Sequence, residues 1–262
     1  MDYQNLRLEI AGGIATLTLD RPDSLNALSQ QALVELRHAL KSVTASTEAR
    51  CLVLTGSGRG FCTGVDLNAP RAVDPNDPDE FLRDFFVPPF RLLADLQIPT
   101  IAVVNGPCAG AGMSLALSCD IVLAVESAYF LQPFVNIGLV PDLGSSWLLP
   151  HSVGRARAAG LMLLGEKLPA AQAAEWGLVW KCVAADRLQP ELDAITAKFV
   201  NGASSHGRIK QLLQQAFRND LPAQMQLEME YQRAAIRSAD HQEARQAFRE
   251  KRPPVFARPG KA

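Results

Sequence analysis

Long hydrophobic runs are missing from this chain of 262 residues. No stretch of about 18 uncharged apolar residues stands out, so no membrane span is expected. The N-terminus carries no basic segment followed by an apolar one, and the expected location is the cytoplasm. An excess of one charge is also absent: 26 Lys and Arg face 27 Asp and Glu, giving a net charge of -1. That balance gives no sign of a nucleic-acid-binding surface. Cysteine is sparse and odd in number. Cys51, Cys62, Cys108, Cys119 and Cys182 show no C-x-x-C spacing, which suits buried thiols in a reducing compartment rather than a disulfide framework. No His/Cys cluster suggests a metal, and no cofactor is expected. His38, His151, His206 and His241 have no paired Ser or Cys motif and read as surface residues.

What the chain does have is apolar residues, 48% of the total, enough for one large domain or a domain with a helical extension. Leu6–Ile10 and Ile14–Asp20 flank Gly12-Gly13 and predict a β-hairpin. Leucines at helical spacing predict a helix over Ser24–Val43. Cys51–Thr55, Thr100–Asn105, Ile121–Val125 and Leu178–Val183 read as buried strands, with helices over Met113–Cys119, Val153–Leu164, Ala170–Trp176, Leu188–Phe199 and Gly207–Phe217. Leu221–Ala239 and Ala244–Lys251 extend the helical end, and no internal repeat is visible. The expected organisation is an α/β core over 1–200 followed by an all-helical region over 201–262. The stretch 68–90 is rich in Pro, Asp and Asn, and predicts a loop and then a helix from about Asp79. Its Phe81, Phe85, Phe86 and Phe90 read either as core or as a roof over a substrate.

Thr100–Trp147 organises the chain. After a β-branched run and Gly106-Pro107 come Ala109, Gly110, Ala111 and Gly112, then a helical pattern. A small-residue turn opening a helix leaves N–H groups without internal acceptors and lets a carbonyl approach, which is half of an oxyanion hole. A dinucleotide fingerprint fails because its third glycine position is Leu115. A nucleophile elbow around Ser114 fails because that serine lies inside the helix rather than on the strand-to-helix turn. Close helix packing alone is the remaining competitor. Gly60–Leu67 is a second small-residue turn after a strand, and could supply the other N–H. Asp142, after Pro141 and before Gly144, reads either as a general base or as a helix N-cap. Asp66 reads as a loop hydrogen-bonder and Glu126 as solvated. Asn136 and Trp147 are possible pocket residues, although a tryptophan such as Trp147 is more often core.

Six blocks in order resemble the enoyl-CoA hydratase/isomerase (crotonase) superfamily: LTLDRPDSLNALS (17–29), LVLTGSGRGFCTGVDL (52–67), IAVVNGPCAGAGMSLALSCDIVLA (101–124), IGLVPDLGSSWLLPHSVGRARA (137–158), LLGEKLPAAQAAEWGLV (163–179) and SADHQEARQAFREKRPPVF (238–256). Within it, VPDLGSSWLLP, AAEWGLVWKCV and YQRAAIRSADHQEARQAF are similar to the ring-opening isomerases of phenylacetate breakdown, the 1,2-epoxyphenylacetyl-CoA isomerases. The resemblance implies a spiral of ββα turns with a C-terminal helical trimerisation region, assembled as a homotrimer or a dimer of trimers. It implies an acyl-CoA substrate, with coenzyme A as part of that substrate. It places the oxyanion N–H groups on Val65 and Ala111, the latter a glycine in most relatives and usable if its φ is negative. Coenzyme A contacts fall on Leu25, Ala27, Val65, Asp66, Leu67 and Asn68. The acyl pocket falls on Phe134, Asn136 and Ser114. The two glutamates that handle water in hydratases correspond to Ser114 and Phe134, so hydration lacks its acid and base. Asp142 occupies the position of an acid found in family isomerases and dehalogenases. The expectation is an isomerase working through a thioester enolate. Hydratase or dehalogenase chemistry, and a non-catalytic thioester-binding paralogue, stay open as alternatives.

Overall fold

A computed structural model describes residues 1–74, 76–77 and 79–256. Pro75 and Pro78 of the 68–90 stretch, and positions 257–262 of the helical end, lie outside the described residues. The hairpin pairs β1 (Leu6–Ala11) with β2 (Ile14–Leu19) antiparallel, in a register set by Ala11 opposite Ile14. Helix α1 (Gln30–Ala45) starts six residues later than its leucine spacing suggests. Leu25 and Asn26 sit at φ 51° and 59°, a left-handed turn that no helix contains, and Ser29 caps the helix through the N–H of Ala32.

The chain then repeats one plan. A buried strand enters the main sheet, a short segment pairs in a second sheet, and a helix returns. Strand β3 (Cys51–Gly56) leads to the Cys62 bridge and, through a π-helical turn over Phe81–Phe86, to α2 (Val87–Asp95). Phe81, Phe86 and Phe90 are buried, Phe81 stacking on Phe86 and Phe86 meeting Phe90 edge-on, so these aromatics are core. Strand β4 (Thr100–Val104), β5 (Cys108–Ala109) and α3 (Ala111–Leu117) form the next turn. Strand β6 (Ile121–Val125), β7 (Tyr129–Leu131) and α4 (Ser145–Leu164) form another. Helix α4 begins eight residues before the expected Val153, and Gly154, at φ 77°, breaks it internally. After β8 (Leu168–Pro169), α5 (Ala170–Glu175), β9 (Lys181–Val183) and α6 (Leu188–Val200) come α7 (His206–Ala216), α8 (Leu221–Ile236) and α9 (Ala239–Glu250).

The main sheet runs β1-β2-β3-β4-β6-β9, parallel from β2 onward, and the second runs β5-β7-β8. The repetition is of backbone plan, not of sequence. Strands β3 and β4 read as unbroken apolar runs because helices cover both faces of a parallel sheet. The crotonase-like spiral is the observed architecture. Among the described residues no helix is long and apolar enough to cross a membrane.

Candidate active site

The two small-residue turns lie against each other. Cys62 and Cys108 form a parallel bridge, and Ala109 donates its N–H to the Cys62 carbonyl at 2.9 Å. Glycine is required where they meet. A Cβ on Gly112 would stand 2.1 Å from the Cys62 oxygen, and one on Gly64, at φ 99°, would stand 3.4 Å from the N of Ala111.

Peptide planarity then fixes where the two N–H groups point, because C=O and N–H oppose each other across a trans bond. The Gly64 carbonyl accepts from Leu28 N–H at 2.7 Å, so the Val65 N–H of the same peptide faces away from Leu28. The Gly110 carbonyl accepts from Met113 and Ser114 N–H at 3.0 and 3.1 Å, so the Ala111 N–H faces out of the start of α3. Ala111 is not among the residues with positive φ, which meets the condition for alanine here. Among the described residues neither N–H has an acceptor. The structure therefore sets two free donors on adjoining turns.

The stretches around Leu25–Ala27 and Val65–Asn68 are brought side by side. Leu28 and Val65 form a parallel bridge, Asp66 N–H donates to Leu28 at 3.0 Å, and Thr63 N–H donates to Leu25 at 3.2 Å. Leu67 and Asn68 are exposed at the rim. Asp66 is tied down: Arg21 Nη2 pairs with it at 2.8 Å, and the N–H groups of Asn68 and Ala69 donate to it. Burial raises its pKa, but these donors outweigh that and hold it below the usual carboxylate range, so Asp66 is a weaker base than an ordinary aspartate. Arg21 and Asn26 carry this arrangement, and the sequence reading gave neither a role. Asn26 is buried, and its amide spans Arg21 N–H, Ser57 C=O and Gly60 C=O. An amide inside a leucine-spaced segment and an arginine just before it were the available signal.

Asp142 precedes α4 without capping it. The cap is Gly144 at φ 80°, which makes no side-chain bond, so the N-cap reading of Asp142 is overturned. Asp142 is instead held by its backbone carbonyl, which accepts from Ser145 N–H at 2.9 Å, Ser145 Oγ at 2.8 Å and Ser114 Oγ at 3.4 Å. Ser114 lies one helical turn after Ala111 on α3, so this bond brings Asp142 to the helix that opens at the free Ala111 N–H. Its side-chain Oδ1 is buried and has no partner among the described residues. Burial pushes the carboxyl up to about 6, against some relief from its own backbone N–H. Leu143 follows at φ 48°, a left-handed conformation that is unusual for leucine and marks a constrained loop.

Phe134 is buried, and its ring lies 3.9 Å from where a Gly110 Cβ would be. Ser114 is wholly buried. Asn136 is exposed, and its amide donates to Gly165 C=O at 3.1 Å. Trp147 is not core: it is 43% exposed and meets His151 and Phe217 at the surface. His206 and His241, expected at the surface, are half-buried. Among the described residues no group of three His, Cys, Asp or Glu could hold a metal ion.

Known proteins resemble this chain over nearly its whole length. The model of the enoyl-CoA hydratase/isomerase family matches residues 9–259. The 1,2-epoxyphenylacetyl-CoA isomerase of Escherichia coli (strain K12) is 46% identical over 249 residues, covering 93% of this chain and 95% of that protein. A Rhodobacter capsulatus protein named "Probable enoyl-CoA hydratase" is 43% identical, covering 98% of this chain and 99% of its own length. The crystal structure of enoyl-CoA hydratase from Bacillus anthracis superposes with a TM-score of 0.91 at 28% identity, covering 97% of this chain and 99% of that one. With its family model matched almost end to end and its fold shared, the chain belongs to the enoyl-CoA hydratase/isomerase family.

Proposed function

We propose that the protein isomerises acyl-CoA thioesters through an enolate, with a 1,2-epoxyphenylacetyl-CoA-like compound as substrate. The observation that carries this is Asp142: a carboxylate beside the oxyanion helix, with an unpartnered buried oxygen and a pKa raised to about 6. In this reading the thioester oxygen accepts from the Val65 and Ala111 N–H groups, each worth about 2.7–4 kcal/mol once charge develops on it. Asp142 takes a proton from the acyl chain, the electron pair moves onto the thioester oxygen, and the carboxylic acid returns the proton to another carbon. The formula of the substrate is unchanged and no water is consumed, so one carboxylate suffices. A base with a pKa near 6 is ionised at neutral pH yet stronger than an ordinary Asp. On an aryl epoxide the same enolate stabilisation would assist ring expansion to the oxepin.

Ser114 and Phe134 speak against hydration, because neither can activate water or protonate carbon at neutral pH. Phe134 supplies an apolar wall instead. Leu25, Ala27, Val65, Asp66, Leu67 and Asn68 would carry coenzyme A. The proposal extends to a cytoplasmic location, a place in phenylacetate or fatty-acid breakdown, and assembly in threes.

The experiment is exchange of the α-protons of phenylacetyl-CoA in D₂O by wild type and Asp142→Asn. The exchange rate should fall by about 10²–10⁴-fold, with binding little changed because the oxygen-binding donors are backbone. A variant that binds the thioester normally and exchanges at the wild-type rate removes Asp142 from the chemistry.

A further inference from the structure

We infer that Arg21 is a positioning residue for the oxyanion hole, setting and polarising a chain of two backbone peptides that ends on the N–H of Val65. The inference rests on the proposed role of Val65 as a donor to the thioester oxygen. One arm of the guanidinium, Nη1, donates to the Ala27 carbonyl, and the other, Nη2, pairs with Asp66 at 2.8 Å. Fixing the Ala27 carbonyl sends the Leu28 N–H of the same peptide the opposite way. That N–H donates to the Gly64 carbonyl at 2.7 Å, which in turn sends the Val65 N–H away from Leu28. Guanidinium, first peptide and second peptide are thus linked in series, each dipole with its positive end toward the substrate oxygen.

A cation at the head of such a chain strengthens every hydrogen bond after it, because each polarised carbonyl leaves its peptide N–H a better donor. Arg21 is suited to this. It is cationic at any working pH, and its fork can serve a carbonyl and a carboxylate together, whereas lysine offers one point charge. Its side chain is only 25% exposed and that of Asp66 only 13%, so water screens the head of the chain incompletely. The backbone of Arg21 is itself fixed, with its N–H on Asn26 Oδ1 at 2.8 Å and its carbonyl accepting from Asn26 and Ser24 N–H at 2.9 and 3.1 Å. On the far side, Asp66 N–H donates to the Leu28 carbonyl at 3.0 Å, so Val65 is bracketed by bonds to one residue whose preceding peptide Arg21 holds.

The test uses phenylacetyl-CoA labelled with ¹³C at its carbonyl, with the infrared carbonyl stretch read when bound to wild type, Arg21→Lys and Arg21→Met. Wild type should lower the stretch relative to the free thioester. Arg21→Met should lose about a tenth to a third of that downshift, the share ascribed to cooperativity in a hydrogen-bond chain. At saturating thioester its α-proton exchange in D₂O should slow about two- to eightfold, that share of one oxyanion donor. Arg21→Lys should fall between the two and keep the fold measurable if the methionine variant proves unstable. A wild-type carbonyl frequency in a variant whose Tm has dropped would reduce Arg21 to a structural tie and overturn the inference. No downshift in the wild type itself would sink the oxyanion reading of Val65, and the inference with it.

Discussion

Asp142 is kept in a place that does not suit a carboxylate. Its backbone oxygen is bound three ways while its Oδ1 is buried without a partner among the described residues, so the residue is held in position but its carboxyl is not satisfied. The stability consequence has a definite sign. Folding raises the carboxyl from the ordinary 3.8 to about 6. Below about pH 4 both folded and unfolded chains hold the proton. Between about 4 and 6 the unfolded chain has lost it and the folded chain has not, so stability falls as pH rises through that window, and the loss is complete above it. Asparagine resembles the protonated acid and carries no such penalty. Asp142→Asn should therefore melt above wild type at pH 7–8, with the gain fading to nothing near pH 4, as scanning calorimetry across that range would show. A gain equal at pH 4 and pH 8 would mean that ionisation of Asp142 costs the fold nothing. The combination of higher stability with lost exchange is the pattern expected when a functional group is retained against the interest of the fold.

At the scale of elements, the sequence was most legible where a run was long and buried. Strands β3, β4 and β6 announce themselves as β-branched or leucine-rich runs, and the Gly12-Gly13 turn announces the hairpin. The start of α1 was misread for a physical reason. Leu25 and Leu28 fall on the helical period, yet Leu28 pairs its backbone with Val65, and Asn26 spends its amide N–H groups on carbonyls more than 30 residues away. Tertiary bonds overrode a local pattern that was only coincidentally helical. Strands β5 and β8 are two residues long and β7 three, too short to show any alternation, so the second sheet was invisible. The two donor turns could be found as small-residue clusters, but their contact could not, because it depends on backbone approaching backbone. That contact is testable at Gly112. With a Cβ there only 2.1 Å from a carbonyl oxygen, Gly112→Ala must push the two turns apart. Urea denaturation should show a loss of about 1–3 kcal/mol or more, the usual range for overpacking, although Ala is the better helix former. A neutral or stabilised variant would show that the turns are not in contact as described.

At the scale of the whole molecule, the helical end carries an apolar face that its own chain does not cover. Helix α8 buries none of its 16 residues. Leu227, Tyr231 and Ala235 are half-buried on one side, while Leu221, Met225, Met229 and Ile236 form a second stripe, each at least 50% exposed. The successive spacings of four, four and seven put these four on one face of a helix. Met225, Met229 and Ile236 also line a cleft of about 850 Å³ between α7, α8 and α9. Apolar stripes of this extent on a helix are ordinarily covered, since each buried Å² of such surface gains about 25 cal/mol. A second copy of the chain is the cover that the family resemblance implies, arranged as a trimer or a pair of trimers. Light scattering at micromolar concentration should accordingly return three or six chains. Met225→Glu combined with Met229→Glu places two charges in the stripe, where a closed interface would have to desolvate both without partners. That variant should dissociate to monomers while circular dichroism reports the same helix content, because neither side chain belongs to the core of its own chain. A wild type that scatters as a monomer, or a double variant that stays assembled, would mean that α8 is not the contact and that its stripe faces solvent in the working protein.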